Sequence, residues 1–141
     1  MAYCTQSDIL EQMDADVLIQ LTDDDNAGEV DDAKATRAIA NADAEIDSYC
    51  GARHSVPFAT VPDMIRACSV DIAIYNLYAR RQGAGESVKE RYDNRIAWLK
   101  AVPKGLATLG EDDPDGVPSE NNMPEISSSD RIFSRETLKG W

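Results

Sequence analysis

Pro62-Asp-Met-Ile-Arg-Ala-Cys-Ser-Val-Asp-Ile-Ala-Ile-Tyr-Asn-Leu-Tyr-Ala-Arg-Arg-Gln82 is the stretch on which the fold turns. Proline suits the first turn of a helix, where its missing N–H would have no intrahelical acceptor. Asp63 beside it complements the positive end of the helix dipole. From there Ile65, Cys68, Ile72, Tyr75 and Ala79 recur at helical spacing. Val70, Ile74, Leu77 and Tyr78 make a second stripe. Two stripes mean burial on most of the circumference. The spacing therefore predicts a central helix around which the others pack.

Upstream, Asp31 to Tyr49 predicts a helix with one apolar face, Ala35, Ala38, Ile39, Ala42, Ile46 and Tyr49. Its alanines would let a neighbouring helix approach closely, and Gly51 would stop it. Residues 51–61, with Pro57, read as a loop. At the start of the chain Thr5 or Ser7 can cap a short helix and Asp14 a second. Ile9, Leu10, Met13, Val17, Leu18 and Leu21 supply their apolar side. Asp23-Asp-Asp-Asn-Ala-Gly28 is a turn. Downstream, Gly83-Ala-Gly85 ends the central helix. A further helix from about Glu86 to Val102 should bury Val88, Tyr92, Ile96 and Leu99, with Trp98 at its flank. Pro103 and Gly105 end that helix, and Leu106 to Leu109 would cover the base of the bundle. Strand signals are nearly absent, so the expected fold is all-α, a bundle of four to five helices.

The chain has 141 residues and a net charge of −12. Residues 1–32 carry ten acidic and no basic side chains, whereas residues 33–110 carry eight acidic and eleven basic ones. Residues 111–141 carry eight acidic and three basic side chains. A mildly basic centre between two acidic ends argues against a free-standing nucleic-acid binder, which would show a basic footprint. The expected organisation is a helical bundle over 1–110, an acidic flexible linker over 111–129 and an apolar-basic docking segment over 130–141. In that last segment Ile132, Phe133, Arg135, Leu138 and Trp141 are the candidate docking residues. Apolar side chains that return after a polar linker suggest a segment that docks, on a neighbouring subunit, a partner or its own bundle.

Catalysis finds little support. Cys50 and His54 are the one conceivable nucleophile–base pair, and nothing local orients them. Asp23, Asp25 and Gly28 fit the first part of a calcium loop, but Lys34 stands where a bidentate glutamate is required. Cys4, Cys50 and Cys68 are odd in number and lack metal-ligand spacing, so small buried thiols in a reducing compartment are expected. No cofactor or metal is implied. No apolar run is long enough to span a membrane. Arg80, Arg81, Lys89, Arg91 and Arg95 form a candidate basic patch. Arg80 and Arg81 also suit a helix C-terminus on dipole grounds alone. Basic centre and acidic ends are complementary, which makes head-to-tail self-assembly plausible.

The opening Tyr3-Cys-Thr-Gln-Ser-Asp-Ile-Leu10, the run Ala44-Glu-Ile-Asp-Ser-Tyr-Cys-Gly51 and the loop to Val56-Pro57 together resemble a known family. So do Pro62 to Arg66, Asp71 to Arg80, Arg91-Tyr92 and Phe133-Ser-Arg135. The family comprises small structural proteins of Mu-like phages and prophages, long catalogued as a domain of unknown function. It looks related to the head-tail connector proteins of tailed phages. The resemblance implies a non-enzymatic connector, adaptor or head-completion subunit that forms an oligomeric ring of itself at the portal neck. It implies phage portal and neck or tail-completion proteins as partners, with non-specific contact with packaged DNA. The expected locations are the host cytoplasm during assembly and then the virion neck. The competing expectation is an acidic regulatory module, a DNA mimic acting on a basic partner.

Overall fold

The structure, a computed structural model, describes residues 1–81 and 83–110. These residues form five helices and, among themselves, no strand. The expected linker and docking segment, 111–129 and 130–141, lie outside the described residues. Helices α1 (Gln6–Leu10) and α2 (Ala15–Thr22) precede three longer ones, α3 (Asp32–Cys50), α4 (Asp63–Arg81) and α5 (Glu86–Ala101).

Local chemistry sets each boundary. Thr5 and Asp8 form a reciprocal capping box at α1: the Thr5 hydroxyl accepts from Asp8 N–H, and the Asp8 carboxylate accepts from Thr5 N–H at 2.7 Å. Asp14 occupies the cap position of α2, though its side chain makes no capping bond. The Asp23 carboxylate organises the turn that follows by accepting from the N–H groups of Ala27 at 2.9 Å and Gly28 at 2.8 Å. Asn26 and Gly28 take left-handed conformations there, with φ of 57° and 77°. Asp31 then caps α3 by accepting from Lys34 N–H.

Helix α4 is the hub. It packs most broadly on α3 and then on α5, and it also touches α1 and α2. Ile65, Cys68, Val70, Ile72, Ala73, Ile74 and Leu77 are all buried, as the two stripes require. Burying one such aliphatic side chain contributes ~1.5–3 kcal/mol, so α4 anchors the core. The facing side of α3 presents Ala35, Ala38 and Ala42 with Ile39 and Ile46, all buried. Helix α5 closes the bundle with Ile96 and Leu99, while Val88, Tyr92 and Trp98 are half-buried at its edges.

Three expectations need correction. Ala79 and Leu10 are exposed, Ala79 in an open hollow that it shares with Lys34, Arg37 and Ala38 of α3. Leu106 is 80% exposed and only Leu109 of that run is buried at the bundle base. Gly51 ends α3 in a right-handed conformation, φ −61°. A Cβ there would lie 2.9 Å from the Asp47 carbonyl oxygen and 3.3 Å from Val56, so close approach and not handedness calls for glycine.

Candidate functional site

The five basic candidates do not meet as one surface. Arg80 and Arg81, at the C-terminal end of α4, turn onto the acidic loop that follows α2. The Arg80 guanidinium grips the Asp24 carboxylate through two nitrogens, at 2.9 and 2.8 Å, and donates to the Leu21 carbonyl at 2.8 Å. Arg81 donates to Asp24 at 3.0 Å and to the Asp23 carbonyl. Lys34, one turn into α3, completes the cluster with 2.9 Å ion pairs to Asp24 and Asp31. An exposed ion pair contributes ~0–1 kcal/mol, but here one carboxylate binds three cations at the junction of α2, α3 and α4. The Arg80 and Lys34 pairs hold the Asp24 carboxyl well below the usual range. Carbonyls at the end of α2, which no further turn would satisfy, take the remaining donors.

Arg91 and Arg95, on α5, converge instead on Asp71 in the middle of α4. Arg95 Nε donates to one carboxylate oxygen at 2.7 Å and Arg91 to the other. The Asp71 side chain is 4% exposed, against 46% and 30% for the two arginines. A carboxylate that deep is retained only when paired and hydrogen-bonded. Nine residues of helix separate Asp71 from Arg80, a rise of ~13 Å, so the two clusters are distinct. Lys89 is exposed on α5 in a shallow depression shared with Glu86, Glu90 and Asp93. Four of the five basic candidates thus neutralise acids of their own bundle.

A third polar cluster secures the N-terminal segment. Tyr3 is buried; its hydroxyl donates to Asp47 on α3 and accepts from Phe58 N–H at 3.2 Å. Tyr3 N–H donates to Asp43 at 3.1 Å. The other Asp43 oxygen accepts from the Ser69 hydroxyl on α4 at 2.7 Å. Burial pushes the Asp43 carboxyl above its usual range, against the pull of these hydrogen bonds. Beside this cluster a groove of about 590 Å³ runs between the N-terminal segment and the outer side of α3. Met1, Ala2, Thr36, Ala40, Ala44 and Pro57 line it, with Ile39, Asp43 and Asp47.

Nucleophilic chemistry at Cys50 is disfavoured. The residue is buried and its thiol is pushed up to about 11 by that burial, then by the Asp47 charge. His54 is buried too, its ring 6.2 Å from that of Phe58. Cys4 and Cys68 are likewise buried, with thiols pushed up to about 11 and about 12. The remaining candidates, Ile132, Phe133, Arg135, Leu138 and Trp141, lie outside the described residues.

Asp24, Asp43, Asp47 and Asp71 were not singled out by sequence, and Lys34 entered only as the residue that breaks the calcium-loop pattern. For Asp71 a signal was available: a carboxylate inside the doubly apolar run Val70-Asp71-Ile72, facing two arginines four residues apart on the next helix. For Asp24 and Asp43 no local pattern distinguishes them from the other acids.

Comparison with known proteins identifies the family. The family model described as Bacteriophage Mu, Gp36 matches residues 3–128. The chain belongs to the phage Mu gp36 family. It is 30% identical over 139 residues to the Mu-like prophage FluMu protein gp36 of Haemophilus influenzae, covering 99% of this chain and 97% of that one. It is 29% identical over 138 residues to gene product J of Escherichia phage Mu, covering 96% of each. A gp36-family match that begins at residue 3 takes in Tyr3 and all three polar clusters. Among the described residues no helix is long and apolar enough to cross a membrane.

Proposed function

We propose that this gp36-family protein is a non-enzymatic virion-assembly subunit, a head-tail connector that joins copies of itself into a ring at the portal neck. One observation carries the reading. The similarity to phage Mu and Mu-like prophage proteins spans 99% of the chain in one case, so it takes in the terminal segment as well as the bundle. The similarity thus runs past the bundle through the acidic stretch and into the terminus, an extent that suits a subunit built from a rigid body and an attachment segment. The proposed partners are neighbouring subunits, the portal and the neck or tail-completion proteins, with packaged DNA passing nearby. The bundle supports the rigid part of this role: α4 is enclosed by four other helices and cross-braced by three polar clusters. A DNA mimic would present its acids outward, as Glu11, Asp14, Asp16, Asp25, Glu29 and Asp32 are, whereas Asp43, Asp47 and Asp71 make hydrogen bonds or ion pairs within the bundle.

The test is electron microscopy of particle necks together with deletion of residues 130–141. A ring of five-helix bundles is expected beneath the portal. The deletion should leave thermal unfolding of the bundle nearly unchanged while abolishing incorporation into particles. Absence of the protein from purified virions and from assembly intermediates would overturn the proposal.

A further inference from the structure

We propose that the groove between the N-terminal segment and α3 receives the terminal segment, residues 130–141, of a second copy of this chain. The inference rests on the connector reading and names the contact that would join neighbouring subunits. The groove, about 590 Å³, is within the size range of specific binding pockets. Its walls are apolar or small at Met1, Ala40, Ala44 and Pro57; Thr5, Gln6 and Thr36 are neutral and polar, and its charged side chains are the Asp43 and Asp47 carboxylates. Among the described residues the hydrogen bonds to those carboxylates come from neutral donors, the Tyr3 N–H, the Tyr3 hydroxyl and the Ser69 hydroxyl, and the amino group of Met1 acts on Asp43 through its charge. Among the described residues no arginine or lysine pairs with either of them, in contrast with Asp24 and Asp71.

The terminal segment has the complementary composition. Ile132, Phe133, Leu138 and Trp141 are large and apolar, and Arg131, Arg135 and Lys139 are cationic. Large aromatic side chains supply much of the energy of such contacts, and cations beside the half-buried Asp43 and Asp47 would add register. Reach allows the contact. The described chain leaves at Gly110, next to Leu109, which shares a hollow with Phe58 and Pro62. Twenty residues, 111–130, can span up to ~70 Å. A groove on one part of the subunit and a plug on another make a heterologous contact, the kind that closes into rings.

The test uses two full-length, differently tagged variants, Ala40→Cys and Leu138→Cys, co-expressed during particle assembly. The three native thiols are buried, and because Cys4 lines the groove a Leu138→Cys chain paired with the unsubstituted chain is the control. Oxidation is carried out on particles and on the concentrated purified mixture. A disulfide-linked heterodimer is expected, and adding Ala44→Arg to the Ala40→Cys chain should reduce its yield at least tenfold. Ala44 is exposed, so the bundle should tolerate that change, which circular dichroism checks. No heterodimer in either sample would overturn the proposal. So would a bond formed solely within one chain of an Ala40→Cys/Leu138→Cys double variant. Incorporation into particles, read by immunoblot, reports separately on the connector reading.

Discussion

Arg95 Nε donates a 2.7 Å hydrogen bond to Asp71, and the acceptor is the deeper partner, 4% exposed against 30%. The desolvation cost of this pair therefore falls almost wholly on the carboxylate. Removing the cations should hurt more than removing the anion. A double Arg91→Ala, Arg95→Ala variant should lose about 3–5 kcal/mol, because it strands a buried charge. Asp71→Asn should lose about 1–2 kcal/mol, since both arginines can turn to water. Urea unfolding of the variants checks the asymmetry, and equal losses would refute it.

The Asp24 cluster should make the bundle sensitive to acid. Asp23, Asp24 and Asp31 all have carboxyls held below the usual range, by Gly28 and Ala27 N–H groups, by Arg80 and Lys34, and by Lys34 respectively. A depressed folded pKa gives stability that is present above the unfolded value, about 4, and lost as pH falls through that value toward the folded one. The urea midpoint should fall between about pH 5 and about pH 3. Asp24→Asn should flatten that fall and should also weaken its dependence on salt. An unchanged slope in the variant would count against the cluster.

Close approach of α3 to α4 should tolerate no extra volume. Ala42 is fully buried on the face of α3 turned toward α4, whereas Ala40 on the same helix is exposed. Ala42→Leu should cost about 1–3 kcal/mol by overpacking. Ala40→Leu should stay within about 0.5 kcal/mol. Thermal unfolding of the two variants decides, and a tolerated Ala42→Leu would mean the helices are not tightly packed there.

The long helices were legible because their signals are redundant: Pro62, two apolar stripes, an alanine face and glycine-rich turns all agree. Capping residues placed even the short α1 and α2. What was not legible depends on which surfaces fold together. Arg80 and Arg81 read as part of a free basic patch because their main acceptor, Asp24, lies 56 and 57 residues earlier. Periodicity marked Ala79 and Leu10 as core, since a stripe reveals a face and not which of its residues end up covered. Tyr3 has no periodic neighbours, so only the family resemblance drew notice to its stretch. The family itself was legible from order and spacing spread along the chain, without any single sharp motif.

The buried N-terminal segment also sets a clock on synthesis. Tyr3 makes hydrogen bonds to residues 44 and 55 positions later, and Cys4 to one 65 positions later. Translation at ~5–20 residues per second places Ser69 about 3–13 seconds behind Cys4. Asp47 and Phe58 follow Tyr3 sooner, so the Cys4 contact with Ser69 is the last of the three to become available. Closure of this segment onto α4 therefore waits for the translation of Ser69, and slow codons before it would delay that contact.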